Sequence, residues 1–302
     1  KVVSDRGSSD EGEVVAICER GVKSLCGTLF SDRGRYFVRP DEKSYFEDIY
    51  IPAKRSGGAK PYDKVFADIT RYTESGLIEG EVKEVLGKRF ELAAEEKSII
   101  KAYKFKDYFP KAVVSEVAEI PQKVADNQLI DRLNLTGRLI VTIDGEDSRD
   151  FDDAVEVEKK ENGNYILCVH IADVSEYVKS GSALDKEALK RSNSTYFPDK
   201  VIPMLPFELS NGICSLNEGV DRLTLSCIME IDENGEVVDK KIAKSVIKSK
   251  RRMTYTEVQG ILDGDKKYAD EPKEIVKLVG LMRELQKILS AKRDKRGSVD
   301  LD

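Results

Sequence analysis

One histidine in 302 residues, no C-x-x-C pair among five cysteines and no apolar run of membrane-spanning length narrow the chemistry open to this chain. The lone histidine, His170, lies within the strand-like run 165–171, where a satisfied core imidazole is a better reading than a ligand. Histidine-based hydrolysis and zinc chemistry therefore have little support. The cysteines, Cys18, Cys26, Cys168, Cys214 and Cys227, are odd in number and scattered, which predicts free thiols in a reducing, cytoplasmic compartment. The first residues lack a signal peptide's charged-then-apolar order, so a soluble chain with no membrane partner is expected. Neither a P-loop nor the kinase loops are present, and no 20-to-50-residue repeat points to a solenoid. A hydrophobic content of 40% suffices for the cores of two or three domains. Net charge is -6, but phosphate binding depends on local basic patches rather than on the mean field. Two such patches exist, from Lys54-Arg55 through Lys60 to Lys64, and Lys248, Lys250, Arg251 and Arg252; each reads more readily as solvated surface than as a binding site.

Against these absences stands one decapeptide, residues 144–153 (Asp-Gly-Glu-Asp-Ser-Arg-Asp-Phe-Asp-Asp), which gathers six carboxylates directly after the apolar run 139–143. Carboxylates crowded into one turn repel one another unless a cation neutralises them, and an all-oxygen donor set suits Mg²⁺ or Mn²⁺ rather than zinc. A calcium EF-hand loop does not fit, because its sixth position needs Gly where Arg149 stands counting from Asp144, and Val155 counting from Asp150. A solvated acidic loop is the plainer alternative. The β-branched flanks on both sides favour a fixed site, at the bottom of a cleft.

Along the chain, residues 13–17 (Glu-Val-Val-Ala-Ile) read as a lone strand, which needs partners upstream. With Lys rather than Met in first place, this gives the expectation of a segment of a longer protein. Short strands at residues 27–30, 35–39, 49–51, 64–69 and 80–86, separated by polar turns, predict a small barrel of the OB or cold-shock type. Such barrels hold single strands with basic and aromatic side chains, which makes Arg35, Tyr36, Phe37 and Arg39 candidates for the binding face. Strand alternation lets at most one of Tyr36 and Phe37 face outward. Residues 91–105 have helical spacing, with Pro110 as the stop, and residues 121–134 read as a polar loop. Two hairpins follow, 154–158 with 165–174 and 222–231 with 236–249. Thr254-x-x-Glu257 is a capping box opening a helix that ends near Gly264, and residues 272–292 form an amphipathic helix expected to pack in a core.

Several motifs in order carry a resemblance: residues 142–154 around the acidic loop, Val169-His-Ile-Ala-Asp-Val174, Tyr196-Phe-Pro, Ile202-Pro-Met-Leu-Pro206, Leu209-Ser-Asn-Gly-Ile-Cys-Ser-Leu216 and Asp221-Arg-Leu-Thr-Leu-Ser226. They resemble the RNB catalytic domain of the ribonuclease II / ribonuclease R family, and the filling of the acidic loop is closer to the ribonuclease R branch. The resemblance implies a multidomain α+β chain: residues 1–22 as the tail of a truncated first cold-shock domain, 23–90 as a second cold-shock (OB) barrel, and 91–302 as the N-terminal part of the α/β RNB domain. It further implies a processive 3′-to-5′ exoribonuclease that degrades single-stranded RNA from a free 3′ end to 5′-mononucleotides with divalent metal. The family's four catalytic aspartates, at offsets 0, +6, +8 and +9, fall here on Asp144, Asp150, Asp152 and Asp153. By that resemblance Asp144 and Asp153 are the firmest Mg²⁺ ligands (Mn²⁺ being the substitute), Asp150 completes the shell, and Asp152 is the carboxylate whose loss most harms the chemistry. Glu146 and Asp147 fall outside the motif and are expected to be solvated or to lie outside the metal's immediate shell. Tyr196 matches the aromatic that stacks on the 3′-terminal base. The family's chain continues past the point matched by residues 296–300, through an active-site Arg and Glu and an S1 domain, so activity of the segment alone is left open. The alternative is a non-catalytic RNA-binding protein with a degenerate RNB domain, against which the intact aspartate quartet argues.

Overall fold

The structure, a computed structural model, describes residues 2–4, 11–45, 47–74 and 76–299. It divides into two units, residues 1–107 with 197–202, and residues 108–196 with 203–302. Among the described residues no helix is long and apolar enough to cross a membrane.

In the first unit, β1 (Val2–Ser4) and β2 (Glu11–Gly12) form a short antiparallel pair. The expected strand at residues 13–17 is not one: the segment is irregular and Val14, Val15 and Ile17 are exposed. Extended β-branched residues need a neighbouring strand, and among the described residues none pairs with residues 14–17. The five barrel strands are all present, and all but β5 are longer than expected: β3 (Ser24–Asp32), β4 (Arg35–Pro40), β5 (Ile49–Ile51), β6 (Asp63–Tyr72) and β7 (Ile78–Lys88). They close in the order β3-β4-β5-β7-β6 around Leu29, Val38, Ile49, Ile51, Val65 and Ala67, which removes the exposed edges of an open sheet. Helix α1 (Leu92–Ala102) packs on β7, β3 and β6. Gly87 permits this approach, since its φ of +145° disfavours any side chain and a Cβ there would lie 2.8 Å from that of Ala94.

The helix ends three residues before the expected boundary. Lys104 turns left-handed (φ +58°) and the Phe105 N–H reaches back to the Ile100 carbonyl, closing the last turn. Pro110 is therefore not a stop. It directly precedes α2 (Lys111–Ala118), where a missing N–H forfeits no helical bond.

The second unit contains α2, β8 (Leu133–Asn134), β9 (Val141–Asp144), β10 (Asp153–Lys159), β11 (Tyr165–Ala172), α3 (Ala183–Arg191) and β12 (Thr195–Tyr196). The two-residue β13 (Val201–Ile202) belongs to the first unit. The second unit resumes with β14 (Asp221–Ile231), β15 (Val237–Lys248), β16 (Arg251–Thr254), α4 (Tyr255–Asp263) and α5 (Lys273–Lys295). Seven strands make one sheet in the order β16-β9-β10-β11-β14-β15-β8, parallel only at its two ends, β16 with β9 and β15 with β8. Alternation assigns opposite faces to neighbouring residues. Val157, Tyr165 and Ile231 pack under Ile275, Leu278, Val279 and Leu285 of α5, while Ala154, Ala172 and Leu223 meet Val113, Val117 and Leu184 of α2 and α3. The capping box is realised: the Thr254 hydroxyl accepts the Glu257 N–H at 3.1 Å and the Glu257 carboxylate accepts the Thr254 N–H at 2.8 Å. Gly264, left-handed at φ +69°, ends α4.

His170 is fully buried on the sheet, its Nδ1 2.6 Å from the Ser226 hydroxyl, and burial followed by the charge of Arg138 lowers its pKa to about 4. It is a core group, with its Nε2 buried and without a hydrogen-bond partner among the described residues, so the imidazole is only half satisfied.

Candidate active site

The acidic loop leaves the end of β9 and re-enters the sheet as β10. Asp144 is the last residue of β9 and Asp153 the first of β10, so both belong to strand ends, while Asp150 and Asp152 occupy the connection. The flanks are buried, with Val141, Thr142, Phe151 and Ala154 in the interior. The loop itself is open: Asp152 and Asp153 are exposed, Asp144 and Asp150 half-buried. The expectation of a cleft floor is thus not met by this unit, because like-charged carboxylates are better hydrated than buried together.

The aspartates are close enough to feel one another. Desolvation, then the negative charges of Asp153 and Asp150, raise the Asp144 carboxyl above its ordinary value, with Arg252 opposing. Asp152, open at one edge and crowded at the other, is raised by desolvation, then by Asp150, Asp153 and Asp144. Such a cluster gains from a cation with oxygen-only ligands. Among the described residues no three acidic, histidine or cysteine side chains converge tightly enough to hold an ion as they stand. The donor chemistry of the cluster fits Mg²⁺ or Mn²⁺.

Tyr196, on β12, is 68% exposed, and its hydroxyl donates to Asp150 Oδ2 at 3.3 Å. The ring is thus exposed beside the aspartates and is not a core tyrosine. The same surroundings raise its phenol, through desolvation and then the charge of Asp150.

The loop is braced from two sides by residues whose role the sequence did not reveal. Ser215, fully buried, accepts the Phe151 N–H at 3.0 Å and donates to the Arg149 carbonyl at 2.9 Å. On the other side Arg252 Nη2 donates to the carbonyls of Gly145 (2.6 Å) and Glu146 (2.8 Å), and Thr256 Oγ1 donates to Glu146 Oε1 at 2.5 Å. Glu146 is therefore a tether as well as a solvated carboxylate. The parallel β9–β16 pairing, which sets Thr254 opposite Asp144 and Arg252 opposite Thr142, brings these groups together. Within the two basic patches, Lys248 pairs with Asp221, Arg251 with Glu271 and Glu257, and Lys64 is buried between Asp41 and Glu95, while Lys54, Arg55, Lys60 and Lys250 are exposed.

On the barrel, register aligns Phe30, Phe37 and Tyr50 across β3, β4 and β5, with ring centroids 5.5 and 5.7 Å apart. Phe37 joins this row, while Tyr36 packs against the barrel core. Arg39 lies 4.7 Å over the Phe30 ring and is tied to Asp48 at 3.0 Å, and Arg35 is exposed beside the β3–β4 turn. Phe30 and Tyr50 were missing from the sequence-based candidates, for want of the register.

A closed five-stranded barrel with an aromatic row, together with an α/β unit whose sheet presents an aspartate quartet, is the architecture of cold-shock and RNB domains. A family model described as RNB domain matches residues 132–302, and one described as cold shock domain matches residues 37–110; the chain belongs to the RNB family. It is similar to ribonuclease R of Thermotoga maritima, 47% identical over 292 residues that cover 95% of this chain and 41% of that protein. The chain thus spans less than half the length of that curated relative. A solved structure of Mycoplasma genitalium RNase R in complex with double-stranded RNA matches with a TM-score of 0.82 at 27% identity, covering 96% of this chain and 51% of that one. Yeast Ssd1, a pseudonuclease, shares the fold with a TM-score of 0.68 at 20% identity over 97% of this chain and 37% of that one. Fold alone does not decide activity.

Proposed function

We propose that this chain carries the metal-binding carboxylates and part of the RNA-binding surface of a processive 3′-to-5′ exoribonuclease, which hydrolyses single-stranded RNA with a free 3′ end to 5′-nucleoside monophosphates. The observation that carries the reading is the aspartate quartet, Asp144, Asp150, Asp152 and Asp153, at the family's spacing, mutually interacting, with the exposed Tyr196 ring hydrogen-bonded to Asp150. Asp144, Asp150 and Asp153 would hold Mg²⁺ or Mn²⁺. When bound, the cation neutralises phosphoryl charge and makes water nucleophilic near neutral pH. Asp152 acts on the attacking water. Tyr196 offers its face to the terminal base, a contact tolerant of sequence because every base has a π-face. The Phe30–Phe37–Tyr50 row, with Arg35 and Arg39, supports a second stretch of contact with the single strand on the barrel. Five cysteines without a disulfide suit a cytoplasmic location.

In the full-length protein, Asp152→Asn should nearly abolish hydrolysis of a labelled single strand while leaving RNA affinity intact or improved, since one negative charge beside the phosphate is lost. Tyr196→Ala should weaken the grip on the 3′ end by about 1 to 3 kcal/mol and lengthen the final undigested fragment. Near wild-type cleavage by Asp152→Asn refutes the catalytic reading. RNA binding by the wild type without metal-dependent cleavage would place the chain with the pseudonucleases.

A further inference from the structure

We infer that Arg252 is a positioning residue for the acidic loop, gripping the two carbonyls that directly follow Asp144 so that this aspartate is presented to the cation. The inference deepens the metal-binding reading above and rests on it. One guanidinium nitrogen serves both carbonyls, at 2.6 and 2.8 Å, while the Arg252 backbone N–H is itself fixed to Glu218 Oε2 at 2.8 Å. The backbone of Arg252 is further held by β16 in register with β9, so the grip is referenced to the strand that bears Asp144. The guanidinium also lies 5.6 Å from the centre of the Phe151 ring, on the far side of the loop. Thr256 fixes the Glu146 side chain from the first turn of α4, so residues 144–146 are held by two adjacent groups of one junction. The Asp150 side chain, by contrast, takes a single hydrogen bond among the described residues, at 3.3 Å from the Tyr196 hydroxyl. Residues 149–151 are braced separately by Ser215, and Arg252 secures the other half of the loop, the one that carries Asp144.

The arrangement makes a prediction of opposite sign to the simplest electrostatic one. A positive charge near a cation site repels the cation, so if charge were all that Arg252 contributed, neutralising it would tighten Mg²⁺. A group that orients the ligands from outside the coordination shell does the reverse, and its loss typically weakens metal binding by about 10- to 100-fold. Calorimetric titration of Mg²⁺ and Mn²⁺ into the wild type, Asp144→Asn, Arg252→Met and Arg252→Lys, all below the onset of their thermal unfolding, separates the cases. Arg252→Met should bind at least about tenfold more weakly than wild type. Arg252→Lys, which keeps the charge but carries it on a shorter stem without the planar guanidinium, should fall between the two and also guards against a Met variant that does not fold. Unchanged or tighter binding in both Arg252 variants, with wild type still well above Asp144→Asn, overturns the positioning role alone. Wild type no better than Asp144→Asn overturns the metal reading and this inference with it.

Discussion

The ion pair between Arg132 and Asp173 gives the sharpest prediction about stability. Asp173 follows β11 at the end of the His-Ile-Ala-Asp motif; its side chain is 1% exposed and that of Arg132 3%. Arg132 Nη2 donates to Asp173 Oδ2 at 2.7 Å and to Glu176 Oε2 at 3.0 Å, while Nη1 reaches the carbonyls of Thr224 and Ser245, both at 3.4 Å. Burial alone would raise the Asp173 carboxyl, but the hydrogen bonds from Arg132 and Ser175, with the charge of Arg132, outweigh it and hold the pKa below the ordinary range. Replacing Asp173 by Leu leaves the buried guanidinium with the less buried Glu176 carboxylate as its counter-charge, for which a loss of up to about 3–5 kcal/mol is expected. For a unit of this size that corresponds to a fall in Tm of roughly 6–20 °C. The double variant Arg132→Met, Asp173→Leu removes both charges and should recover a large part of the loss, since apolar replacement of a buried pair is often nearly neutral. Thermal unfolding followed by circular dichroism, and denaturant titration of the wild type, Asp173→Leu, Arg132→Met and the double variant, measure the cycle. The pH dependence has a defined sign: because the folded-state pKa is depressed, this contribution is fully present above the unfolded value of about 3.9 and disappears as pH falls through the folded one. A single-variant loss under about 1 kcal/mol, or a double variant as unstable as the sum of the singles, would refute the assignment of a desolvated, mutually dependent pair.

Two further outcomes are expected. Thr254→Ala removes the cap of α4 and should lower stability by about 1 kcal/mol in denaturant titration, with Thr254→Ser close to wild type. Without divalent metal, Asp152→Asn should raise Tm at neutral pH, since the raised carboxyl binds its proton more tightly folded than unfolded and its ionisation therefore opposes folding as pH rises. The gain should shrink as pH falls below the folded-state pKa and be offset by added Mg²⁺; equal Tm values across that range count against a repelling cluster.

The sequence by itself determined the elements whose cause is local. Alternation placed the five barrel strands and both large hairpins, Thr254 and Glu257 set the start of α4, and the apolar spacing from Ile275 to Leu285 set the buried face of α5. The aspartates were legible for the same reason, since all four lie within ten consecutive residues and their crowding is a property of the chain before it folds. The α1 boundary was misjudged because it depends on Lys104 turning left-handed, and residues 13–17 because β propensity counts only where a second strand is present to pair. A serine at 182 with Asp185 three residues on could have marked α3, whose cap it forms.

What tertiary structure alone decided were the relations between segments far apart in sequence. Arg252 looked like one charge in a basic run until the parallel pairing of β16 with β9 set it beside the acidic loop, more than a hundred residues away. Lys64 looked like surface until Asp41 and Glu95 closed over it, and Phe30 and Tyr50 became a row with Phe37 only through the register of three strands. Local pattern fixes which face of an element is apolar, because that follows from the 2.0- and 3.6-residue periods. Which elements become neighbours depends on how those faces bury one another, so the braces of the acidic loop, supplied from Ser215 and from the start of α4, come into existence only with the sheet.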